Sequence, residues 1–406
     1  MGKTAKGESI GKEYRLVIHR HPICHNTINI NTLTIFFAEA TVPQPVAIIP
    51  LSNPRFRSAT GPMKLRVGII GLGDAWDSRH RPALRALSDR FEVRAVFCEV
   101  AHLAEQAARD FGATAVDGFR ALCARDDVDA LLILSPQWYG ALPIMAACEF
   151  GKSVYCGAAL DIEDPAEAHL VKERVEESGI AFMTEFPRRL APATLRLKEL
   201  IATRLGKPKL LFCHRRSSVD PGVPQRTARR CPTIQREMIE QVDWCRYVAG
   251  SDPTSVIGIQ HSCGSEGNED YQMMSLDFSP PGQLGTGPTA QISCGRYMPS
   301  AWPEAVAFRP PAALQVCCEH GIAFVDLPST LTYFDAAGRH MESLESERPV
   351  GERLLMHFYR GVTSLVRKVN DLEDAHHALS VVLAARKSFL SGTRVEITPD
   401  LFLRGT

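Results

Sequence analysis

The sequence has no excess of charge of either sign, since its 406 residues include 46 lysines and arginines and 46 aspartates and glutamates. A chain with this charge balance gives no indication of nucleic acid or of an acidic membrane surface as a partner. It also lacks any apolar run near the roughly 20 residues that a membrane-spanning helix needs. Its length is sufficient for two domains with a sizeable core.

The twelve cysteines form no Cys-x-x-Cys pair and no His/Cys cluster at zinc spacing, so the sequence predicts no metal site. Apart from the adjacent Cys317 and Cys318 they are scattered singly along the chain. We interpret them as small hydrophobic core residues of a protein in a reducing compartment, which favours a cytoplasmic location.

Residues 1–62 mix glycine, threonine, asparagine, histidine and proline with brief apolar runs. Glu39, Pro43 and Pro45 interrupt any apolar region of a signal peptide. Met63 stands immediately before the first predicted strand. We therefore expect residues 1–62 to form a disordered leader, or one added by an upstream start codon.

The most informative segment is Val67-Gly-Ile-Ile-Gly-Leu-Gly73, an apolar run followed at once by a glycine turn. A helix over residues 81–87 is predicted to follow it. Such a turn presents backbone N–H groups at a helix N-terminus, where a pyrophosphate binds favourably. Trp76 stands at the third glycine position of Gly-x-Gly-x-x-Gly, and the alternative is a tight turn that binds nothing. The candidate cofactor contacts in this turn are Gly71, Leu72, Gly73, Asp74, Ala75 and Trp76.

A second predicted strand, residues 91–99, ends in a carboxylate. In dinucleotide folds such an acidic residue accepts hydrogen bonds from the adenine ribose hydroxyls. No arginine directly follows Glu99 to pair with a 2′-phosphate, so the sequence favours NAD over NADP. The alternative is that Glu99 is an ordinary helix cap or a solvated turn carboxylate.

Helices and strands alternate as far as Thr184, among them a predicted strand over residues 153–156 and a predicted helix over residues 165–178. This alternation predicts a parallel, doubly wound sheet.

Beyond Leu205, short strands joined by tight turns, among them residues 314–318 and 322–326, predict a mostly antiparallel sheet. Late helices are predicted over residues 362–366 and 375–390. The expected fold is an α/β Rossmann domain over residues 63–186 and an α+β domain over residues 187–406. A sheet of the second kind commonly leaves one face free, so we expect a homo-oligomer formed through the C-terminal sheet.

Several further motifs occur in a recognisable order. They are Asp127-Val-Asp-Ala-Leu-Leu-Ile-Leu-Ser-Pro136, Ala147-Cys-Glu-Phe-Gly-Lys-Ser-Val-Tyr-Cys156, Phe186-Pro-Arg-Arg-Leu-Ala-Pro192 and Ser388-Phe-Leu-Ser-Gly-Thr-Arg-Val-Glu-Ile397. Together with the glycine turn, they resemble the glucose–fructose oxidoreductase/inositol dehydrogenase/MocA (Gfo/Idh/MocA) family. The resemblance implies a nicotinamide-binding Rossmann domain, a C-terminal sheet domain and a sugar, cyclitol or related polyol as substrate. The cofactor contacts expected after two of the strands are Ser135, Pro136, Gln137, Gly157 and Ala158.

The chain departs from this family where the family places its acid–base residues. The family usually has Glu-Lys-Pro after the strand ending at Cys156, whereas this chain reads Gly157-Ala158-Ala159. Of the family's downstream Asp-x-Gly-x-His-x-x-Asp pattern, only Asp243 is retained, and Glu240 stands at the histidine position. Removal of hydride from an alcohol normally requires a positioned base.

Three residues are candidates for that base or for a proton donor. Glu240 and Asp243, at i and i+3 of a helix starting near Glu237, share a face and would form a carboxylate pair if that face lines a cleft. The alternative is a polar helix in which Arg236 pairs with Glu240. Tyr139 is a rival proton donor, unless it packs beside the cofactor.

Arginines cluster after predicted strand ends, where α/β proteins place ligands. Arg188, Arg189 and Arg216 are candidate substrate-binding residues, with further arginines in the loop that follows, Arg226, Arg229 and Arg230. Converging guanidinium groups would suit a carboxylate or phosphate on the substrate. The alternative is a solvated loop with surface ion pairs.

The motifs predict an NAD-dependent oxidoreductase, and the family resemblance implies that it acts on a small sugar-like or polyol substrate, which the arginines would allow to be anionic. Two alternatives stay open. The first is a non-catalytic NAD- or sugar-binding pseudoenzyme, and the second is a non-redox glycosidase or lyase that keeps NAD bound.

Overall fold

The computed structural model describes residues 64–219, 234–262, 269–299, 301–308, 310–344, 348–364 and 371–398. The predicted leader, residues 1–62, lies outside the described residues, as do Arg226, Arg229 and Arg230.

The first half of the described chain forms a six-stranded, wholly parallel sheet. Its strands are β1 (Leu65–Ile70), β2 (Phe91–Phe97), β3 (Thr114–Ala115), β4 (Ala130–Ile133), β5 (Ser153–Cys156) and β6 (Phe182–Thr184). Their order is β3-β2-β1-β4-β5-β6. The chain adds β2 and β3 on one side of β1 and β4 to β6 on the other, so the strand order switches sides between β1 and β4. This is the doubly wound Rossmann order, and the expectation of a parallel α/β sheet is confirmed.

The helices of this half are α1 (Arg81–Ala86), α2 (Ala101–Phe111), α3 (Phe119–Cys123), α4 (Pro136–Tyr139), α5 (Leu142–Glu149) and α6 (Pro165–Ser178). Local sequence accounts for the ends of the longer ones. The Asp164 carboxylate caps α6 by accepting a 2.9 Å hydrogen bond from the backbone of Ala166, and Gly179 ends the helix in a left-handed conformation. Gly112 ends α2 in the same way.

The second half forms a nine-stranded sheet. Its strands are β7 (Pro208–Val219), β8 (Ser255–Ser262), β9 (Glu269–Asp277), β10 (Thr289–Pro299), β11 (Leu314–Cys318), β12 (Ile322–Asp326), β13 (Thr330–Asp335), β14 (Gly338–Ser343) and β15 (Val395–Glu396). They lie in the order β14-β13-β12-β11-β7-β10-β9-β8-β15. All neighbours are antiparallel except β7 and β10, so the mostly antiparallel second sheet is also confirmed.

The second half contains five α-helices among the described residues: α7 (Pro192–Leu200), α8 (Ile234–Ala249), α9 (Pro303–Ala307), α10 (Val350–Thr363) and α11 (Asp371–Ser391). Helix α11 packs closely on β8, where a Cβ on Gly258 would lie 2.0 Å from the carbonyl oxygen of Ala385. Helix α10 instead returns to the first sheet and buries Leu354 and Phe358 in the hydrophobic core around β1. The polypeptide after residue 187 therefore also contributes to the packing of the Rossmann sheet.

None of the helices in the described part of the chain is both long enough and apolar enough to cross a lipid bilayer.

Candidate active site

The turn after β1 has a backbone that glycine adopts without strain. Gly71 and Gly73 have φ angles of +70° and +62°. A Cβ on Gly73 would lie 2.2 Å from the carbonyl oxygen of Leu134, and one on Gly71 would lie 2.6 Å from the side chain of Ser135. The glycines thus bring the turn against the carboxyl end of β4, where the strand order reverses. This cradle fits the close backbone approach that a dinucleotide pyrophosphate requires.

The third position of the glycine motif, Trp76, is buried. Its ring packs edge-to-face on Phe111 of α2, with the ring centroids 6.0 Å apart. The residues Trp76–His80 form a single π-helical turn that leads into α1. Leu72 packs against the same core, whereas Asp74 and Ala75 face the cleft described below.

Glu99 lies two residues after the end of β2 and is exposed, and the thiol of Cys98 donates a 3.1 Å hydrogen bond to its carboxylate. Tyr139 lies near it, between the rings of Phe97 and Phe119 at centroid distances of 5.8 and 6.1 Å. Burial and the negative charge of Glu99 raise the pKa of the Tyr139 phenol. Tyr139 therefore lies in an aromatic cluster next to Glu99, and it is not among the residues that line the cleft.

The residues after β4 and β5 lie beside the glycine turn. Ser135 is buried against Gly71, and Pro136 begins α4, which also contains Gln137. The backbone of Gly157 donates a 2.8 Å hydrogen bond to Ile133, and Gly157 lines the cleft. Ala158 is buried and carries no titratable atom, so this edge of the sheet supplies no base at the position of the family lysine.

A cleft of about 440 Å³ opens beside the glycine turn at the carboxyl edge of the parallel sheet. Its wall combines the turn and the ends of β4, β5 and β6 with β7 and α8 of the second half. Four arginines and four carboxylates line it, so its formal charge is balanced. They are Asp74, Arg79, Glu185, Arg188, Arg215, Arg236, Glu237 and Glu240.

Helix α8 presents two glutamates, Glu237 and Glu240, to this cleft, and their carboxylates differ in the hydrogen bonds that they accept. Glu237 accepts a hydrogen bond from Arg188 and another, 3.4 Å long, from Gln241. Although burial opposes ionisation, the guanidinium groups of Arg188 and Arg215 hold the pKa of Glu237 below its ordinary value. The oxygens of Glu240 lie 3.7 Å from Arg236 Nε and 3.8 Å from Arg188 Nη2. Those are ion-pair distances, and among the described residues no group donates a hydrogen bond to the Glu240 carboxylate.

The cleft also contains a buried cluster that the sequence did not reveal. Glu185, directly after β6, accepts hydrogen bonds from Arg79, from His80 Nε2 at 2.7 Å and from the Tyr155 hydroxyl at 2.9 Å. Burial and the charge of Arg79 lower the pKa of His80 to about 3, so its imidazole is neutral at pH 7. The Nε2 atom therefore carries the proton donated to Glu185. A carboxylate immediately after a buried strand was the available sequence signal.

Three other candidate residues lie outside this cleft. The side chain of Arg189 points away from Arg188 and pairs with Asp243, its Nε 2.7 Å from Oδ2, and with Asp374. Asp243 is consequently buried in an ion pair, and the structure separates it from Glu240. Arg216 lines a neighbouring cavity and donates a 2.6 Å hydrogen bond to the backbone carbonyl of Phe308.

Curated relatives resemble the chain over part of their length. An inositol 2-dehydrogenase from Saccharopolyspora erythraea is 26% identical over 222 residues, which are 53% of this chain and 63% of that protein. A dTDP-3,4-didehydro-2,6-dideoxy-α-D-glucose 3-reductase from Actinomadura kijaniata is 34% identical over 122 residues, 30% of this chain and 36% of the reductase. The chain spans about half the length of the curated relatives it matches.

Solved structures share the fold over most of the chain. A putative myo-inositol dehydrogenase from Sinorhizobium meliloti aligns with a TM-score of 0.63 and 21% identity, covering 82% of this chain and all of that one. An aldose–aldose oxidoreductase from Caulobacter crescentus, complexed with glycerol, aligns with a TM-score of 0.70 and 16% identity over the same shares. Residues 65–186 match the family model GFO_IDH_MocA, described as an oxidoreductase family with an NAD-binding Rossmann fold. The Rossmann part of the chain, residues 65–186, is thus similar to the Gfo/Idh/MocA oxidoreductase family.

Proposed function

We propose that the chain is an NAD-dependent oxidoreductase that transfers a hydride between nicotinamide and a carbinol carbon of a small sugar-like or polyol substrate. The observation that carries the proposal is the juxtaposition of the Gly71–Gly73 cradle with a polar cleft at the switch point of the sheet. The named dehydrogenase and reductase relatives support the same reaction class.

In this proposal the residues of the cleft accept the proton of the substrate hydroxyl and orient the substrate. Bound nicotinamide supplies the hydride acceptor or donor. Glu240 takes the hydroxyl proton, because its carboxylate faces the cleft and accepts no hydrogen bond from another described residue. Glu237 is held by Arg188 and Gln241, so its role is to fix the guanidinium of Arg188. Arg188 and Arg216 favour a substrate that also carries an anionic group.

The experiment that tests this proposal measures bound cofactor and its turnover together. Native mass spectrometry of the purified full chain detects NAD, and absorbance at the NADH band follows turnover with a panel of sugars and cyclitols. Net formation of NADH supports the proposal. Bound NAD without any reaction would instead indicate a pseudoenzyme, and product without net NADH would indicate a glycosidase or lyase that retains NAD.

NAD is expected to bind at least tenfold more tightly than NADP. Dinucleotide folds recognise the adenosine ribose with an acidic residue after the second strand, and we assign this role to the exposed carboxylate of Glu99, which would repel a 2′-phosphate. At a concentration about 100 times its dissociation constant, NAD should stabilise the folded chain by about 2.7 kcal/mol, visible as a thermal shift. Glu99→Gln should narrow the difference between the two cofactors. Equal shifts with NAD and NADP in the native chain would refute the preference.

We also expect the chain to associate with a second copy through the open face of the nine-stranded sheet. Phe212, Phe324 and Ile257 belong to one cross-strand row on the same face of the sheet. Phe212 and Phe324 both pair with Gln315, and successive pairings across β10 and β9 link Phe212 to Ile257 on β8. Both Phe212 and Ile257 are more than a third exposed. Light scattering should give a mass above that of one chain, and Phe212→Glu should lower it. A monomer at micromolar concentration would contradict this expectation.

A further inference from the structure

A second cavity of about 190 Å³ adjoins the cleft. The two cavities share Arg188, Arg215, Glu237 and Leu327 as lining residues, so a substrate seated in the cleft can reach into the second cavity. Its remaining wall comes from β7 and α8 and from the segment around Pro310.

The second cavity carries a surplus of positive charge that the cleft lacks. Three guanidinium groups line it, from Arg188, Arg215 and Arg216, against the single carboxylate of Glu237. The imidazole of His214, also in the wall, adds no charge at neutral pH because burial and the neighbouring Arg216 lower its pKa. Glu237 and Glu240, which lies 3.8 Å from Arg188 Nη2, together neutralise two guanidinium groups at most. At least one positive charge therefore remains for a ligand.

Polar atoms without partners point to the same place. Arg188 Nη1, Arg216 Nε and Gln241 Oε1 are buried and have no hydrogen-bond partner among the described residues. Gln241 itself is 1% exposed. Buried polar atoms are normally hydrogen-bonded, so three unsatisfied atoms around one cavity indicate a place where a polar ligand would bind.

The guanidinium groups are also held in place before a ligand arrives. The Arg188 guanidinium lies over the ring of Trp244, 5.9 Å from its centroid, and is anchored by Glu237. The hydrogen bond to the Phe308 carbonyl fixes Arg216. A preordered arginine loses little side-chain entropy on binding, and its planar donors match a carboxylate or phosphate.

We propose that the second cavity is an anion subsite, which receives a carboxylate or phosphate borne by the sugar-like substrate. Arg188 Nη1 and Arg216 Nε donate to the anion, and Gln241 Oε1 accepts from a neighbouring hydroxyl. The substrate class is therefore a sugar acid or a sugar phosphate rather than a neutral polyol. This assignment of the substrate class rests on the proposed function, which seats the sugar ring in the cleft. The anion subsite itself is tested by binding alone.

The test compares matched neutral and anionic probes on the full chain saturated with NAD. The pairs are D-glucose with D-glucuronate and myo-inositol with a myo-inositol monophosphate, and calorimetry gives each dissociation constant. We expect at least one anionic probe to bind about tenfold more tightly than its neutral partner, as one or two charge-assisted hydrogen bonds provide. Which pair shows the difference distinguishes a carboxylate from a phosphate.

Arg216→Gln should remove that preference and leave the affinity for the neutral probe unchanged. Arg216 is partly exposed and forms no ion pair among the described residues, so circular dichroism should show an unaltered fold. The matched control is Arg120→Gln, an exposed arginine paired with Glu149, which should keep the preference.

Equal binding of charged and neutral probes, absence of anion binding, or a preference retained in Arg216→Gln would overturn the subsite. None of these results bears on the oxidoreductase itself, which fails separately if the purified chain does not bind NAD. The two proposals are therefore refuted by different measurements.

Discussion

Glu240→Gln is expected to lower kcat by a factor of about 10² to 10⁴ with any substrate that supports NADH formation. The amide keeps the shape of the side chain but cannot accept the hydroxyl proton. Glu240 lies on α8, whereas the glycine cradle lies after β1, so the affinity for NAD should not change. Steady-state kinetics measure the first effect, and a thermal shift with NAD measures the second.

Two comparisons make this result specific. Glu149→Gln changes an exposed glutamate paired with Arg120 and should leave kcat unaltered. Asp243→Asn removes one partner of a buried ion pair with Arg189, so its main effect should be on stability. If Glu240→Gln retains full activity, Glu240 is a helix carboxylate paired with Arg236, and the base must be sought elsewhere in the cleft.

Much of the fold could be predicted from the sequence because local signals agree with the tertiary structure. Strand β5 and helix α6 have the predicted bounds, Ser153–Cys156 and Pro165–Ser178. Glycines flank the strand, and a capping aspartate and a glycine end the helix, so the local sequence determines where both elements begin and end. Strands β11 and β12 were also predicted at their observed bounds, since Gly321 permits the tight connection between them.

Among the elements that were missed or misplaced, two involve a glycine. Strand β8 contains Gly258, which weakens a strand signal but is required here because α11 packs against it. The helix expected over residues 362–366 is in fact α10, Val350–Thr363. Its first turn contains Gly351, where a Cβ would lie 2.7 Å from the side chain of Arg79. In both elements the glycine is required by close packing between segments that are distant in sequence, and the periodicity of the sequence does not reveal such packing.

For the candidate site, the sequence predicted which residues share a helix face, but it did not predict which of them face the cleft. The sequence placed Glu240 and Asp243 on one face, and they do lie one turn apart on α8. The partner of each residue comes from elsewhere in the chain. Arg189 holds Asp243 away from the cleft, while Arg188, its neighbour in sequence, faces the cleft. Adjacent residues thus have opposite roles, which only the tertiary structure distinguishes.

Glu185→Ala is expected to reduce the free energy of unfolding by about 2–6 kcal/mol, because it leaves two buried donors unsatisfied at a cost of about 1–3 kcal/mol each. Glu185 is 1% exposed and accepts hydrogen bonds from Arg79, His80 and Tyr155. Without its carboxylate, two buried donors and one guanidinium lose their acceptor. Arg79 is about one-third exposed and can regain water, so most of the loss should come from His80 and Tyr155. Urea unfolding of the full chain measures it.

Glu149→Ala provides the matched control, because its ion pair with Arg120 is exposed and should contribute at most about 1 kcal/mol. A second variant, Glu185→Gln, separates charge from hydrogen bonding. Its carbonyl oxygen can still accept from His80 or Tyr155, so its loss should be smaller than that of Glu185→Ala. If both Glu185 variants unfold like the native chain, the cluster does not hold the π-helical turn to β6. The cleft would then owe its shape to the glycine cradle and α8 alone.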